Sequence, residues 1–403
     1  MKPFNSILLC LAFILPVACS SPSDEVEPEI VVPQNATLTI SVAPGSLQTK
    51  SPSMKSTDSG NSGTDVGEMR EGEDKINNMC AAIFKKEDGA LLSASYMDYQ
   101  GMADEHPDTI RIAAKSNLEL VYVILVNVGK QTFTSLDELH GKVYDLKDIR
   151  VDNQPMSSRF MEIAKLKPGD NYIGSKDIFT DVPDEAFYSK SAVPVCRTAS
   201  RIDLEKINLN WSDDNAADLK KENARFHLKR IYVRNAKAGT RLADKAVGDY
   251  SVEWLGEGVT YLDGKSPDGP AYFGALDLFT AAGNPPVITT DAGFPEAGKK
   301  YQCYVTENRV KSVPTTIILQ GDIIHRDTDT PILKDRYYFV KIMDMEYKDI
   351  VYPGVIRNYV IRINATITGK GSADETYTEN ASVSVTVRPD GWSVGESQEE
   401  GVN

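Results

Sequence analysis

Period-two alternation of apolar and polar residues recurs along this chain and constrains its fold more than any other feature. Residues 36–44 read Ala-Thr-Leu-Thr-Ile-Ser-Val-Ala-Pro, placing Leu38, Ile40 and Val42 on one side and Thr37, Thr39 and Ser41 on the other. Successive side chains of a strand point to opposite faces, so this pattern marks a strand with one buried face. Near the other end, Tyr359, Ile361, Ile363, Ala365 and Ile367 alternate with Val360, Arg362, Asn364, Thr366 and Thr368. Val383, Val385 and Val387 alternate in the same way with Ser382, Ser384 and Thr386. Between these ends the alternation is rougher: Ile202, Leu204, Ile207 and Leu209 form one set, Phe226, Leu228, Ile231 and Val233 another. Short apolar or β-branched runs at residues 301–306, 315–319 and 337–342 are bounded by Gly, Pro, Asn or Asp clusters. Many short strands separated by turn residues predict an all-β chain built from β-sandwiches. There is no fixed-period repeat.

The first half adds a few specific elements. Residues 79–84 are apolar, Glu87-Asp88-Gly89 is a turn signal, and residues 91–96 supply a return strand. Residues 118–128 are dense in Val, Leu, Ile and Tyr, which predicts a central strand buried on both faces. Ser135-Leu136-Asp137-Glu138-Leu139 reads as a short helix with Ser135 as N-cap. Weaker strands are expected over 109–114, 160–166 and 193–195.

The N-terminus has the form of an export signal. Lys2 is followed by an almost unbroken apolar run over residues 7–17, then Ala18 and Cys19. That run is shorter than the roughly 20 residues needed to span a bilayer. Cys19 directly after a small residue resembles a bacterial lipobox, in which the thiol takes a lipid before cleavage. Residues 20–29, Ser-Ser-Pro-Ser-Asp-Glu-Val-Glu-Pro-Glu, are polar and acidic and read as a solvated tether. They also resemble the surface-export signal of Bacteroidetes lipoproteins. After the first strand, residues 46–74 are rich in Ser, Gly, Thr and charge, with the composition of a flexible loop. A loop of that length inside a domain is usually functional or disordered. Lys50, Lys55 and Arg70 lie in it.

Net charge is −14, with 41% hydrophobic and 25% charged residues. The composition is ordinary for a globular protein, and the acidic balance argues against a nucleic-acid partner. Cys80, Cys196 and Cys303 remain beside Cys19, with no CxxC or Cys/His cluster, so buried free thiols or at most one disulfide are expected. The four histidines, His106, His140, His227 and His325, form no HExxH or HxH arrangement, and no nucleophile elbow, P-loop or GxGxxG follows a strand. Asp213-Asp214 and the Asp322, Asp327 and Asp329 group are carboxylates of ordinary loop character; Asp327-Thr328-Asp329 lacks the Gly and distal Glu of an EF-hand. Trp211, Trp254, Tyr261 and Tyr272 are aromatics able to stack on sugar, but core or strand positions explain them better. Nothing here argues for an enzyme, a catalytic residue, a metal or a cofactor.

Taken in order, these features resemble the fimbrillin-like proteins of Bacteroidetes, the subunits of type V pili. The resemblance rests on the lipoprotein signal and on the strand at 36–42. It rests further on Val195-Cys196-Arg197-Thr198-Ala199-Ser200-Arg201-Ile202, Phe226-His227-Leu228-Lys229-Arg230-Ile231-Tyr232-Val233-Arg234-Asn235, the strand from Arg357-Asn358-Tyr359 to Gly371-Ser372, and the closing 383–392 segment. It implies two tandem β-sandwich domains of transthyretin-like, Greek-key type with a few short helices. The expected plan is a signal peptide at 1–18 and an acidic tether at 19–35. An N-terminal domain follows at 36–190, with first strand 36–43 and flexible loop 45–74. The C-terminal domain covers 191–403, with terminal strands 356–368 and 382–392. It implies a precursor lipidated at Cys19, palmitate among the acyl groups, and held on the cell outer membrane. It further implies a cut by a trypsin-like protease after Lys50, Lys55 or Arg70. Loss of the first strand with Leu38, Ile40 and Val42 would follow, then strand exchange with other pilin subunits, with Val383, Val385, Val387 and Trp392 as donor anchors. Sheets that lose a strand expose unpaired backbone and capture a replacement, which makes such exchange physically sound. Stalk, anchor and tip subunits stay open as alternatives, as does a non-polymerising surface lipoprotein that binds glycan or host protein.

Overall fold

In the computed structural model the described residues are 32–44, 69–99, 108–163, 165–243, 260–264, 276–277, 286–296, 300–347, 350–376 and 382–391. Within Pro33–Asn403, which forms one compact unit, their regular structure is mostly strand. In the first half these are β1 (Asn35–Pro44), β2 (Asn78–Lys85), β3 (Leu91–Asp98), β4 (Thr109–Lys115), β5 (Leu120–Val126), β6 (Val143–Asp145), β7 (Met156–Ser157), β8 (Met161–Ile163), β9 (Gly169–Ile173), β10 (Phe187–Ser189) and β11 (Val193–Arg197). The second half adds β12 (Ala199–Leu209), β13 (Arg225–Lys237), β14 (Gly239–Arg241), β15 (Tyr261–Asp263), β16 (Leu276–Asp277), β17 (Val287–Ile288), β18 (Tyr301–Thr306), β19 (Thr316–Ile324), β20 (Pro331–Lys341), β21 (Met345–Tyr347), β22 (Ile350–Tyr352), β23 (Tyr359–Ile367) and β24 (Val383–Gly391). The helices α1 (Leu136–Gly141) and α2 (Ala217–Lys221) are short.

The hairpin β2–β3 forms where the turn signal predicts it. Gly89 adopts φ +69°, and Asp88 Oδ1 accepts from the Ala90 N–H at 2.9 Å. β2 then pairs with β5 along its whole length, and β5 continues to β7 and β8. All seven residues of β5 are buried because it is covered on both sides. One side packs on Leu38, Ile40, Ile110, Ile112 and Ile173 from β1, β4 and β9. The other packs on Phe84, Phe133 and Leu139, the last carried by α1. That helix starts as expected, with Ser135 Oγ accepting from the Glu138 N–H at 3.2 Å.

In the second half, the sheet β18-β12-β23-β24 faces the sheet β15-β13-β19-β20. Ile202, Leu204, Ile207, Phe226, Leu228, Ile231, Leu319, Ile363 and their neighbours fill the core between them. Sandwich packing of this kind is the all-β fold that the alternation predicts. Two β-bulges explain the rougher alternation. One lies in β12 between Leu204 and Lys206, the other in β13 between Leu228 and Arg230. Each inserts an extra residue, so Ile207 and Leu209, like Ile231 and Val233, return to the core face out of phase with the preceding pair. Gly321 lies opposite the second bulge; a Cβ there would sit 2.3 Å from the His227 carbonyl oxygen.

The terminal strands start slightly later than predicted, β23 at Tyr359 and β24 at Val383. Asn358 at φ +59° and Ser382 at φ +71° bend the backbone at their starts, because the left-handed conformation cannot continue a ladder. The three cysteines Cys80, Cys196 and Cys303 are buried and free.

Candidate functional site

β1 lies inside its sheet. From Asn35 to Ser41 it pairs antiparallel with β4, in register from Asn35↔Lys115 to Ser41↔Thr109. On its opposite edge Ala36 to Ile40 pair in parallel with β9. Its last residues, from Val42, then pair with β11 from Val193 to Val195. Leu38 and Ile40 are 0% exposed and Val42 is 2% exposed. Thr37 and Thr39 face outward, where Arg111 bridges to Asp170 at 2.8 Å across the strand. β1 is therefore the common partner of three other strands. Taking it away would leave the facing edges of β4 and β9 unpaired and would empty an apolar trough. At about 1.5–3 kcal/mol for each fully buried aliphatic side chain, Leu38, Ile40 and Val42 together contribute roughly 5–9 kcal/mol.

β24 is arranged differently. Among the described residues it is the edge strand of its sheet and pairs with β23 alone, in unbroken antiparallel register from Tyr359↔Gly391 to Ile367↔Val383. Val383, Val385 and Val387 are half-buried against the second core. They repeat the i, i+2, i+4 spacing of Leu38, Ile40 and Val42. Cys19, Lys50, Lys55 and Trp392 lie outside the described residues.

Arg70 is described, and its surroundings differ from the flexible loop expected through residue 74. Residues 71–74 form a turn with Gly72 at φ +92°, and Glu73 is 0% exposed. A carboxylate is buried at such a position only when its oxygens find donors. Glu73 Oε2 accepts from Arg201 Nη1 at 2.6 Å and from the Arg70 N–H at 2.9 Å. Its Oε1 accepts from the Tyr304 hydroxyl at 2.7 Å, and its carbonyl accepts from Arg197 Nη2 at 3.0 Å. Arg201 in turn forms a bidentate pair with Asp203, at 2.7 and 3.1 Å. The Arg70 guanidinium lies over the Tyr304 ring, 6.0 Å from its centroid.

This cluster sits where the chain passes from β11 into β12. The Arg197 N–H donates to Asn358 Oδ1 at 3.1 Å, and Arg357 is held by Glu307 at 2.8 Å. Burial pushes the Arg197 guanidinium down to about 10, with Glu73 opposing the shift. Burial also works against the Arg201 charge, but Asp203 and Glu73 outweigh it and the net direction is upward. Burial, reinforced by Glu73, raises the Tyr304 hydroxyl. The residues that bear the sequence resemblance at 195–202 and 357–359 thus include three of the largest fully buried side chains, Arg197, Arg201 and Arg357. Sequence reasoning named Arg197 and Arg201 only as part of a motif and missed Glu73, whose partners are far away along the chain.

Some of the other chemical candidates take structural roles. Trp211 is a core residue whose Nε1 donates to the Ala224 carbonyl at 2.8 Å. Tyr261 is half-buried on β15, and Trp254 and Tyr272 lie outside the described residues. Arg225 binds Asp329 and the Thr328 carbonyl. Among the described residues no group of His, Cys, Asp and Glu is placed to hold a metal.

Residues 36–225 match the family model described as major fimbrial subunit protein (FimA). No curated protein matches the chain. Among solved structures, the chain is similar to a candidate cell adhesion protein from Parabacteroides distasonis ATCC 8503, at 18% identity and TM-score 0.62, covering 90% of this chain and 98% of that one. It is similar to a fimbrilin (FimA) from Porphyromonas gingivalis W83, at 18% identity and TM-score 0.55, covering 90% and 99%. A candidate cell adhesion protein from Bacteroides eggerthii DSM 20697 follows at 16% identity and TM-score 0.54, covering 89% and 96%. At these identities the structures establish the shared fold, and the family model matches the chain over residues 36–225.

Proposed function

We propose that this protein is a fimbrillin-like structural subunit of a surface fimbria, exported as a lipoprotein through Cys19 and polymerised by strand exchange. The observation that carries the reading is the place of β1. A strand with a continuous apolar face, paired on both edges, is followed directly by a long polar stretch containing Lys50 and Lys55. A trypsin-like cut in that stretch separates β1 from the rest of the chain. Release of β1 then opens a trough with unpaired N–H and C=O groups on each side, a template that captures another strand. Val383, Val385, Val387 and Trp392 of another subunit supply anchors at the spacing that Leu38, Ile40 and Val42 occupy. An open trough is costly, so release and capture are coupled. The role is structural, with other subunits and the processing protease as partners and the outer membrane as the precursor's anchor.

The test is mass spectrometry of the protein from intact cells before and after mild trypsin, with size analysis of the product. A lipidated Cys19 on the precursor, a new N-terminus at Ser51, Ser56 or Glu71, and a shift to SDS-resistant oligomers are expected. A lipidated, uncut monomer that trypsin fails to convert would overturn the polymerising reading and leave a surface-binding lipoprotein.

A further inference from the structure

Resting on the processing step just proposed, we infer that Glu73 locks the Arg70–Glu71 bond against a trypsin-like protease, so that processing falls on Lys50 or Lys55 and residues 69–75 stay clamped in the product. Of the four basic residues between β1 and β2, Lys50, Lys55 and Arg70 are the candidate cleavage sites and Lys75 lies just before β2, and composition alone does not rank them. The geometry around Arg70 does.

A protease holds the residues flanking the scissile bond as an extended strand, with the carbonyl of the bond turned into an oxyanion site. The groups of Arg70 that it must take are already engaged. The Arg70 carbonyl accepts from the Glu73 N–H at 3.1 Å, and the Arg70 N–H donates to the Glu73 carboxylate at 2.9 Å. The Arg70 Nη1 donates to the Tyr304 hydroxyl at 3.4 Å. Three residues past the bond's arginine, Glu73 is fully buried with Arg201 and Tyr304. Straightening this segment therefore means drawing a carboxylate out of the core and taking from Arg201 and Arg197 the bonds they make to Glu73. Breaking a buried pair of this kind is among the larger penalties a single residue can impose. Proteolysis of a folded chain follows the population of the locally opened form, and this opening is rare.

The same lock gives the processed chain a fixed arm. Hydrolysis after Lys50 or Lys55 adds one water across the peptide bond, leaving a carboxylate on the lysine and an amine on Ser51 or Ser56. Downstream, Glu73 still ties the chain to β12 and β18 through Arg201 and Tyr304, and Asn77 and Asn127 still hold the entry to β2, with Asn127 Oδ1 accepting from the Asn77 N–H at 2.7 Å. β2 then keeps its register with β5 when β1 leaves.

The experiment is timed trypsin digestion of the folded full chain, reading each new N-terminus by mass spectrometry. Wild type should give Ser51 or Ser56 first, with Glu71 at least 100-fold slower. Glu73→Gln should raise the rate of the Glu71 terminus on the order of 100-fold and leave the upstream cuts unchanged; the upstream sites report any general loosening. Tyr304→Phe, a milder change that keeps the core volume, should raise it about tenfold. Restoring the pairing class with Glu73→Asp should return part of the protection. A Glu71 terminus as fast as Ser51 in wild type would overturn the inference, as would unchanged Arg70 cleavage in both folded variants. Upstream cutting with Arg70 spared but no oligomers would leave the lock standing and remove the polymerising reading. Fast Glu71 cleavage with oligomers would do the reverse.

Discussion

Replacement of Ile40 by alanine probes the trough that β1 fills. Ile40 has no exposed surface, and its register partners, Ile110 on β4 and Ile173 on β9, belong to the same core. Truncating a buried Ile to Ala costs about 2–5 kcal/mol, because the lost transfer energy is joined by a cavity that the neighbours refill only partly. In an equilibrium constant that is roughly 30-fold to several-thousand-fold. The suitable assay is rebinding of a synthetic peptide of residues 35–44 to the chain from which that segment has been removed, by calorimetry or competition. The Ile40→Ala peptide should bind at least about 30-fold more weakly than the parent. Thr39 is half-buried on the outward face, so Thr39→Ala should change binding by no more than a few fold. Equal losses from both peptides would refute the idea that an apolar trough holds the strand, as would a loss below threefold from Ile40→Ala.

Val385→Asp should suppress oligomer formation after processing at least tenfold, whereas Ser384→Asp, on the exposed face of β24, should not; mixing each variant with wild-type chains and counting ladder species separates donor from acceptor defects. Burial pushes Cys196 and Cys303 up to about 12 and raises Cys80 as well, so native thiols should resist an aromatic disulfide reagent at pH 8 and react only on unfolding. Their native pKa values exceed that of an exposed thiol, so the unfolded chain loses these protons first, and stability should fall as pH rises from about 9 toward 12. For Glu205, burial disfavours the carboxylate, but Arg362 and Asn364 outweigh it and hold its pKa below the usual value. That stability is present above the unfolded carboxyl pKa and is lost as pH falls through the lowered one. Since Arg362 also binds Asp390 on β24, hydrogen exchange at the β23–β24 ladder should rise with acid, and Glu205→Gln should flatten the dependence.

Local pattern alone determined much of this protein. Strict alternation located β1, β23 and β24, because a strand with one covered face must repeat every second residue. Turn chemistry located the β2–β3 hairpin, and the Ser135 cap located α1, because both depend on neighbours a few residues apart. Even the two bulges were present as phase slips at Leu204–Ile207 and Leu228–Ile231, although the slip became interpretable only beside its partner strand. Tertiary structure decided the rest. Nothing in residues 35–44 states that β1 is an inner strand whereas β24 is an edge, since that depends on β4, β9 and β11 arriving from 65 or more positions away. Glu73 illustrates the limit most sharply. Its neighbours are Arg, Glu, Gly and Asp, the composition of a solvated loop, yet it is buried because Arg201 and Tyr304, 128 and 231 residues downstream, converge on its carboxylate. A charge is stable in a core only where its partners meet it, and that meeting is a property of the assembled sheets, not of any stretch of sequence.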